Sequence, residues 1–153
     1  TAAPAQHFSA RTPWDRNRAL WGSFVVEVSG RRLYFAGDSG YAPHFHEVRR
    51  RLGDIDLALL PIGAYEPRWF MQHIHMNPEE AVLAHRDLGA ALSVGMHFGT
   101  FRLTTEAIDA PLEALDAARA RHAVPHDRFI TLEFGETRQV AAGAAPPLPG
   151  ADR

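Results

Sequence analysis

The run IDLALLPI, residues 55–62, decides the reading of the fold. It is apolar at most positions, as in a strand covered on both faces rather than one facing water. Pro61 has no amide hydrogen for a ladder and must lie near the strand's end. A helix start follows at Asn77-Pro78, with Glu80 three residues after Asn77, the spacing of a capping box. This predicts a helix over 78–88 that buries Ala81, Val82 and His85 and stops at Gly89. ALSVGM, 91–96, is then a second inner strand. On the other side, LWGSFVVEV (20–28) and RLYFA (32–36) flank Ser29-Gly30 and predict a hairpin. A short amphipathic helix with an arginine-rich outer face spans 45–52 and ends at Gly53. A better helix spans 111–121, with Leu112, Leu115 and Ala118 on one side, and FITLEF (129–134) alternates as a last strand. The order ββαβαβαβ with short connections predicts an α/β layered fold, with helices on at least one sheet face.

The chain's 153 residues and 46% hydrophobic content provide one domain, residues 1–140, with a real core. The tail AAGAAPPLPGADR, 141–153, is low in complexity and reads as disordered. With 16 basic and 18 acidic residues, net charge −2, the chain carries no polyanion footprint, and no nucleic-acid partner is expected. No stretch reaches the ~18 apolar residues of a membrane-spanning helix. Cysteine is absent, so any metal must be held by His, Asp or Glu, and histidine is abundant at nine residues. There is no GxGxxG, Walker, GxSxG or HExxH pattern.

Three segments carry candidate chemistry: AQHFSAR, YFAGDSGY and GMHFGTF, which put His7, Asp38 and His97 where loops leave strands. Gly37 and Gly40 permit a tight turn around Asp38, whose carboxylate suits a metal ligand and would equally cap the turn. His97 leaves a buried strand beside Gly99-Thr100, placed as a neutral imidazole ligand or as a satisfied core histidine. Taken alone, His7 is an ordinary loop histidine. Together they form an oxygen and nitrogen set that matches zinc, iron or manganese. Such a set makes either one site with an open position or part of a two-metal site. His73 and His75 form a pair before the helix, and His75 is read as a group beside the metal or a proton donor to a leaving group. Tyr65 and Arg68 are read as pocket residues, Arg68 meeting a phosphate oxygen. His44 and His46 lie near GDSG and are read as part of a solvated turn.

The segments AQHFSAR, LWGSFVVE, YFAGDSGY, LLPIGAYEPRWFM, NPEEAV and HFGTF resemble the metallo-β-lactamase superfamily. Within it, they are similar to the branch of N-acyl-phosphatidylethanolamine-hydrolysing phospholipase D. The resemblance implies an αββα four-layer sandwich with two divalent metals, usually zinc. It implies that His7 is a ligand of the first metal, Asp38 the bridging aspartate and His97 a ligand of the second. His75 would be held close to the active centre. The implied reaction is phosphodiester hydrolysis by a metal-bound hydroxide, on a phospholipid-like substrate.

The family's HxHxDH motif is absent from these 153 residues and is expected upstream of His7. The chain is therefore expected to cover the second half of the domain, to need an N-terminal half as partner, and to bind metal weakly by itself. A lactonase or other esterase of the same fold is the neighbouring alternative, and a truncated scaffold or binding module the distant one. Trp14, Trp21, Trp69, Phe70 and Met71 are candidates for an acyl groove. A cytoplasmic or peripheral-membrane location, a homo-oligomer and a bacterial origin complete the expectations.

Overall fold

The computed structural model describes residues 1–140, and the tail expected to be disordered lies outside them. In chain order the elements are β1 (Ala2–Ala3), β2 (Ser23–Val28), β3 (Arg31–Phe35), α1 (His44–Leu52), β4 (Leu57–Pro61), α2 (Arg68–Met71), α3 (Pro78–Asp87), β5 (Leu92–Met96), α4 (Ala110–Arg121) and β6 (Phe129–Ile130). The strands form one sheet in the order β1-β2-β3-β4-β5-β6. β1 pairs antiparallel with β2 and β2 antiparallel with β3, whereas β3, β4, β5 and β6 run parallel.

Local chemistry explains most of these elements. Ser29 and Gly30 take consecutive positive φ values of 51° and 74°, the twist a two-residue hairpin needs, and Val28 pairs with Arg31. The backbone N–H of Glu80 donates to Asn77 Oδ1 at 2.8 Å, and that of Asn77 donates to Glu80 Oε2 at 3.0 Å, so the expected capping box closes at the start of α3.

Cross-strand register sorts the sheet into two faces. Val25, Tyr34, Ala58, Ser93 and Phe129 stand in line on one of them. This face is buried beneath Phe45 and Val48 of α1, Ala81 and Val82 of α3, and Leu115 and Ala118 of α4. On the other face Phe24, Val26 and Val28 of β2 and Phe35 of β3 are exposed.

Some expectations need correction. The strand over 129–134 is only Phe129–Ile130, because alternation makes a strand only where a neighbour supplies hydrogen bonds, and β6, at the sheet edge, has β5 alone beside it. Leu112 stays exposed, so the inner stripe of α4 is narrower than expected. β1 and α2 were not foreseen: two and four residues are too short to show a period.

Buried between α3 and β5, His85 sets a pH dependence. Its Nδ1 lies 2.8 Å from Ser93 Oγ, and its Nε2 has no partner among the described residues. Burial, and secondarily the charges of Arg128 and Arg86, push its pKa down from 6.5 to about 4. The folded pKa is the depressed one, so between those values the unfolded chain binds the extra proton. Stability contributed by the neutral ring is therefore present above pH 6.5 and is lost as pH falls toward 4. The loss amounts to about 3 kcal/mol at most. Urea unfolding midpoints should decline across this window, and His85→Gln should flatten the decline. A wild-type midpoint constant from pH 7 to 4.5 would contradict it.

Candidate metal centre

Strand direction gathers the candidate residues. β1 is antiparallel to β2, which is antiparallel to β3, so β1 runs the same way as β3, β4 and β5. All four therefore deliver their following loops to one edge of the sheet. His7 follows β1, Asp38 follows β3, His75 lies in the connection after β4, and His97 immediately follows β5. In an open α/β sheet this carboxyl edge is where binding sites form. Gly37, at φ 63°, turns the chain as it leaves β3, and His97 takes the left-handed φ of 62° just past β5.

At that edge the donors converge. One ligand atom from each of His7, Asp38 and His75 lies within 4.8 Å of the others. The Nε2 atoms of His7 and His75 are 3.5 Å apart, with the rings edge to face. His97 adjoins this group: its Nε2 is 3.5 Å from Asp38 Oδ1, and its ring stacks on that of His75 with centroids 5.1 Å apart. A tetrahedral ion with donors at ~2.0–2.1 Å spaces those donors by about 3.3 Å. Both 3.5 Å separations match that spacing closely, and the donors are nitrogen and carboxylate oxygen, so the residues fit a divalent transition metal.

The electrostatics agree with that use. Burial, followed by the charge of His97, pushes His75 down from 6.5 to about 4, while Asp38 pulls the other way. His75 is thus a neutral imidazole at pH 7, with a lone pair to offer. Asp38 is the anionic member of the triad, with its side chain 44% exposed.

The remaining expected residues have other surroundings. The guanidinium of Arg68, offered by the sequence to a phosphate oxygen, donates through Nη2 to both oxygens of Glu80 at 2.7 and 2.8 Å. Its Nη1 donates to the carbonyls of His75 and Tyr65 at 3.0 and 3.3 Å. Tyr65 is buried, and its backbone N–H donates to Glu106 Oε1. His73 and His46 are exposed. His44 is pushed by burial to about 4 and sits behind the Asp38 turn, 3.5 Å from Ser39 Oγ. Met71 is buried, whereas Trp14, Trp69 and Phe70 are exposed. Sequence reading missed Glu80 and Glu106 as anchors of the 63–77 loop. Glu80 was legible as a capping residue, but no local pattern marks the partner Glu106.

The sequence reading puts His97 on the metal and His75 beside it. In the structure, the mutually close triad is His7, Asp38 and His75, with His97 touching it through Asp38 and His75. A full candidate triad is thus assembled within the chain, and the expectation that an upstream segment must complete it is not supported by this geometry.

Fold and donor set together define an α/β domain with a candidate metal centre at the carboxyl edge of its sheet. Residues 1–98 match the family described as "Beta-lactamase superfamily domain", and the chain belongs to that family. The mixed six-stranded sheet with its helices agrees with the αββα sandwich expected from the resemblance. The chain is 43% identical over 136 residues, 87% of its length, to N-acyl-phosphatidylethanolamine-hydrolyzing phospholipase D 1 of Caenorhabditis elegans, and covers 38% of that protein. It is 39% identical over 140 residues, 90% of its length, to the mitochondrial N-acyl-phosphatidylethanolamine-hydrolyzing phospholipase D of Saccharomyces cerevisiae, covering 30% of it. The chain therefore spans about a third of these curated relatives. An isothiocyanate hydrolase from Delia radicum gut bacteria shares the fold, with a TM-score of 0.67 at 17% identity, over 92% of this chain and 53% of that one.

Proposed function

We propose that the chain carries catalytic residues of a zinc-dependent phosphodiesterase acting on a phospholipid-like substrate. The observation that supports this most is the cluster of His7, Asp38 and His75 in a chain 43% identical to a protein named for hydrolysing N-acyl-phosphatidylethanolamine. The chemistry a divalent ion supplies at such a site is Lewis acidity toward water and a phosphoryl oxygen. The chain's own residues do the rest. His7, Asp38 and His75, with His97 alongside, hold and orient. Neutral His75 has a ring lone pair to offer the ion. Arg68 acts from behind, through the carbonyl of His75.

Two metal ions, with His97 serving the second, belong to the same proposal. An apolar groove of about 400 Å³ beside His97, lined by Met96, Phe98, Phe101, Leu103 and Phe134 among others, suits the apolar part of a lipid. No helix among the described residues is long and apolar enough to cross a membrane. Exposed Trp14, Trp69 and Phe70 favour peripheral contact with a lipid surface.

The test uses the product of the complete gene, purified without chelators and supplied with zinc. It should contain close to two transition-metal ions per chain and release phosphatidic acid from N-acyl-phosphatidylethanolamine. Hydrolysis of lactones or carboxylic esters with no phosphodiester turnover would transfer the site to the neighbouring esterase reading. Absence of bound metal would defeat the proposal outright.

A further inference from the structure

Each of the three donors stands next to Ser39 itself or to a residue hydrogen-bonded to it. The backbone N–H of Gln6, which precedes His7, donates to Ser39 Oγ at 3.0 Å. Ser39 itself follows Asp38. The backbone N–H of Met76, which follows His75, donates to the carbonyl of Ser39 at 3.0 Å. Ser39 is fully buried, and its hydroxyl donates to the carbonyl of Gly40 at 2.8 Å, so its proton and a lone pair are both engaged.

Further bonds reinforce the same junction. The Gly40 N–H donates to the Gln6 carbonyl at 2.8 Å, and Gln6 Nε2 donates to the His73 carbonyl at 3.0 Å. The loops touch so closely that a Cβ on Gly40 would lie 2.8 Å from Gln6 Nε2 and 2.9 Å from the carbonyl carbon of His73. Three segments far apart in sequence are thus tied at one buried serine.

We infer that Ser39 is the positioning residue of the metal centre, holding the loops of His7, Asp38 and His75 in their binding arrangement before any ion arrives. This rests on the reading of those three residues as metal donors. A site whose donors must be gathered from mobile loops loses affinity to the ordering entropy, and a site assembled in advance does not. Removing the hydroxyl leaves the Gln6 N–H without its acceptor, and the Gly40 N–H bond to the Gln6 carbonyl is then the remaining backbone tie between the His7 segment and the Asp38 turn. The side chain of Ser39 is not a donor in the triad, so its effect on the ion is exerted through the His7 segment and the Asp38 turn, while the Ser39 carbonyl holds the His75 loop.

The test compares wild type, Ser39→Ala and Ser39→Thr, with zinc affinity measured by chelator competition and the visible spectrum recorded with cobalt(II). Ser39→Ala should fold, bind zinc about 10- to 100-fold more weakly, and give an altered cobalt(II) spectrum. Ser39→Thr keeps the hydroxyl and should return affinity toward wild type. A folded Ser39→Ala protein with wild-type affinity and spectrum overturns the role of Ser39 and leaves the metal reading standing. A wild-type protein that takes up neither metal overturns both. Should Ser39→Ala fail to fold, amide exchange on metal-free wild type decides: protected Gln6 and Met76 amides support the junction, and rapid exchange at both overturns it.

Discussion

Replacing Asp38 with alanine is expected to weaken zinc binding by at least about 100-fold, roughly 2.7 kcal/mol, and to remove hydrolytic activity with it. Asp38 contributes the negative charge of the triad, while His7 and His75 contribute imidazole nitrogen. Imidazole nitrogens alone leave the charge of a divalent ion uncompensated. Asp38 also lies 3.5 Å from His97 Nε2, so its loss leaves His97 in contact with the group through the His75 ring alone. The fold should tolerate the change, because the side chain is 44% exposed and stands beyond the end of β3. Chelator competition measures the affinity, and a melting curve of the metal-free protein checks the fold. Zinc affinity within threefold of wild type would remove Asp38 from the centre.

Gly63→Ala should damage fold and site together. A Cβ at Gly63 would lie 2.2 Å from the carbonyl oxygen of His97 and 3.1 Å from Cα of Phe98. Both are backbone atoms, so no rotamer change relieves the overlap. The chain leaving β4 must move away from the chain leaving β5, just beyond the Ile62 N–H bond to the Met96 carbonyl. Overpacking of this kind costs about 3 kcal/mol, which lowers the melting midpoint by roughly 10 °C in a chain of this size. His97 and the loop carrying His75 are displaced relative to each other, so zinc affinity falls too. Thermal melts with and without zinc give both quantities. A variant that melts with wild type and gains the same stabilisation from zinc would show that the two strand exits are not in contact in solution.

Much of the fold was legible because its causes are local. The Ser29-Gly30 turn needs two positive φ values, and the Asn77–Glu80 box closes within one turn of helix. The apolar run at 55–62 marks an inner strand wherever it lies in the chain, and β4 is found there. Elements held by partners far away in sequence were read poorly. β1 exists because Ala2 and Ala3 pair with Phe24 and Ser23, and β6 is short because its neighbour decides its length. The site divides along the same line. Asp38 and His97 could be singled out by the glycines beside them and by their places after strands. Arg68 could be noticed as a guanidinium near a site, but its partners Glu80 and the His75 carbonyl are matters of packing.

By itself the sequence determined which residue types are available to hold a metal and which short segments must turn, start a helix or run extended, because those properties depend on side-chain chemistry and near neighbours. Only the tertiary structure decided that His75 joins His7 and Asp38 within 4.8 Å, with His97 against them. That choice depends on four strands pointing the same way and on the Ser39 junction between their loops, and neither leaves a trace in the local sequence.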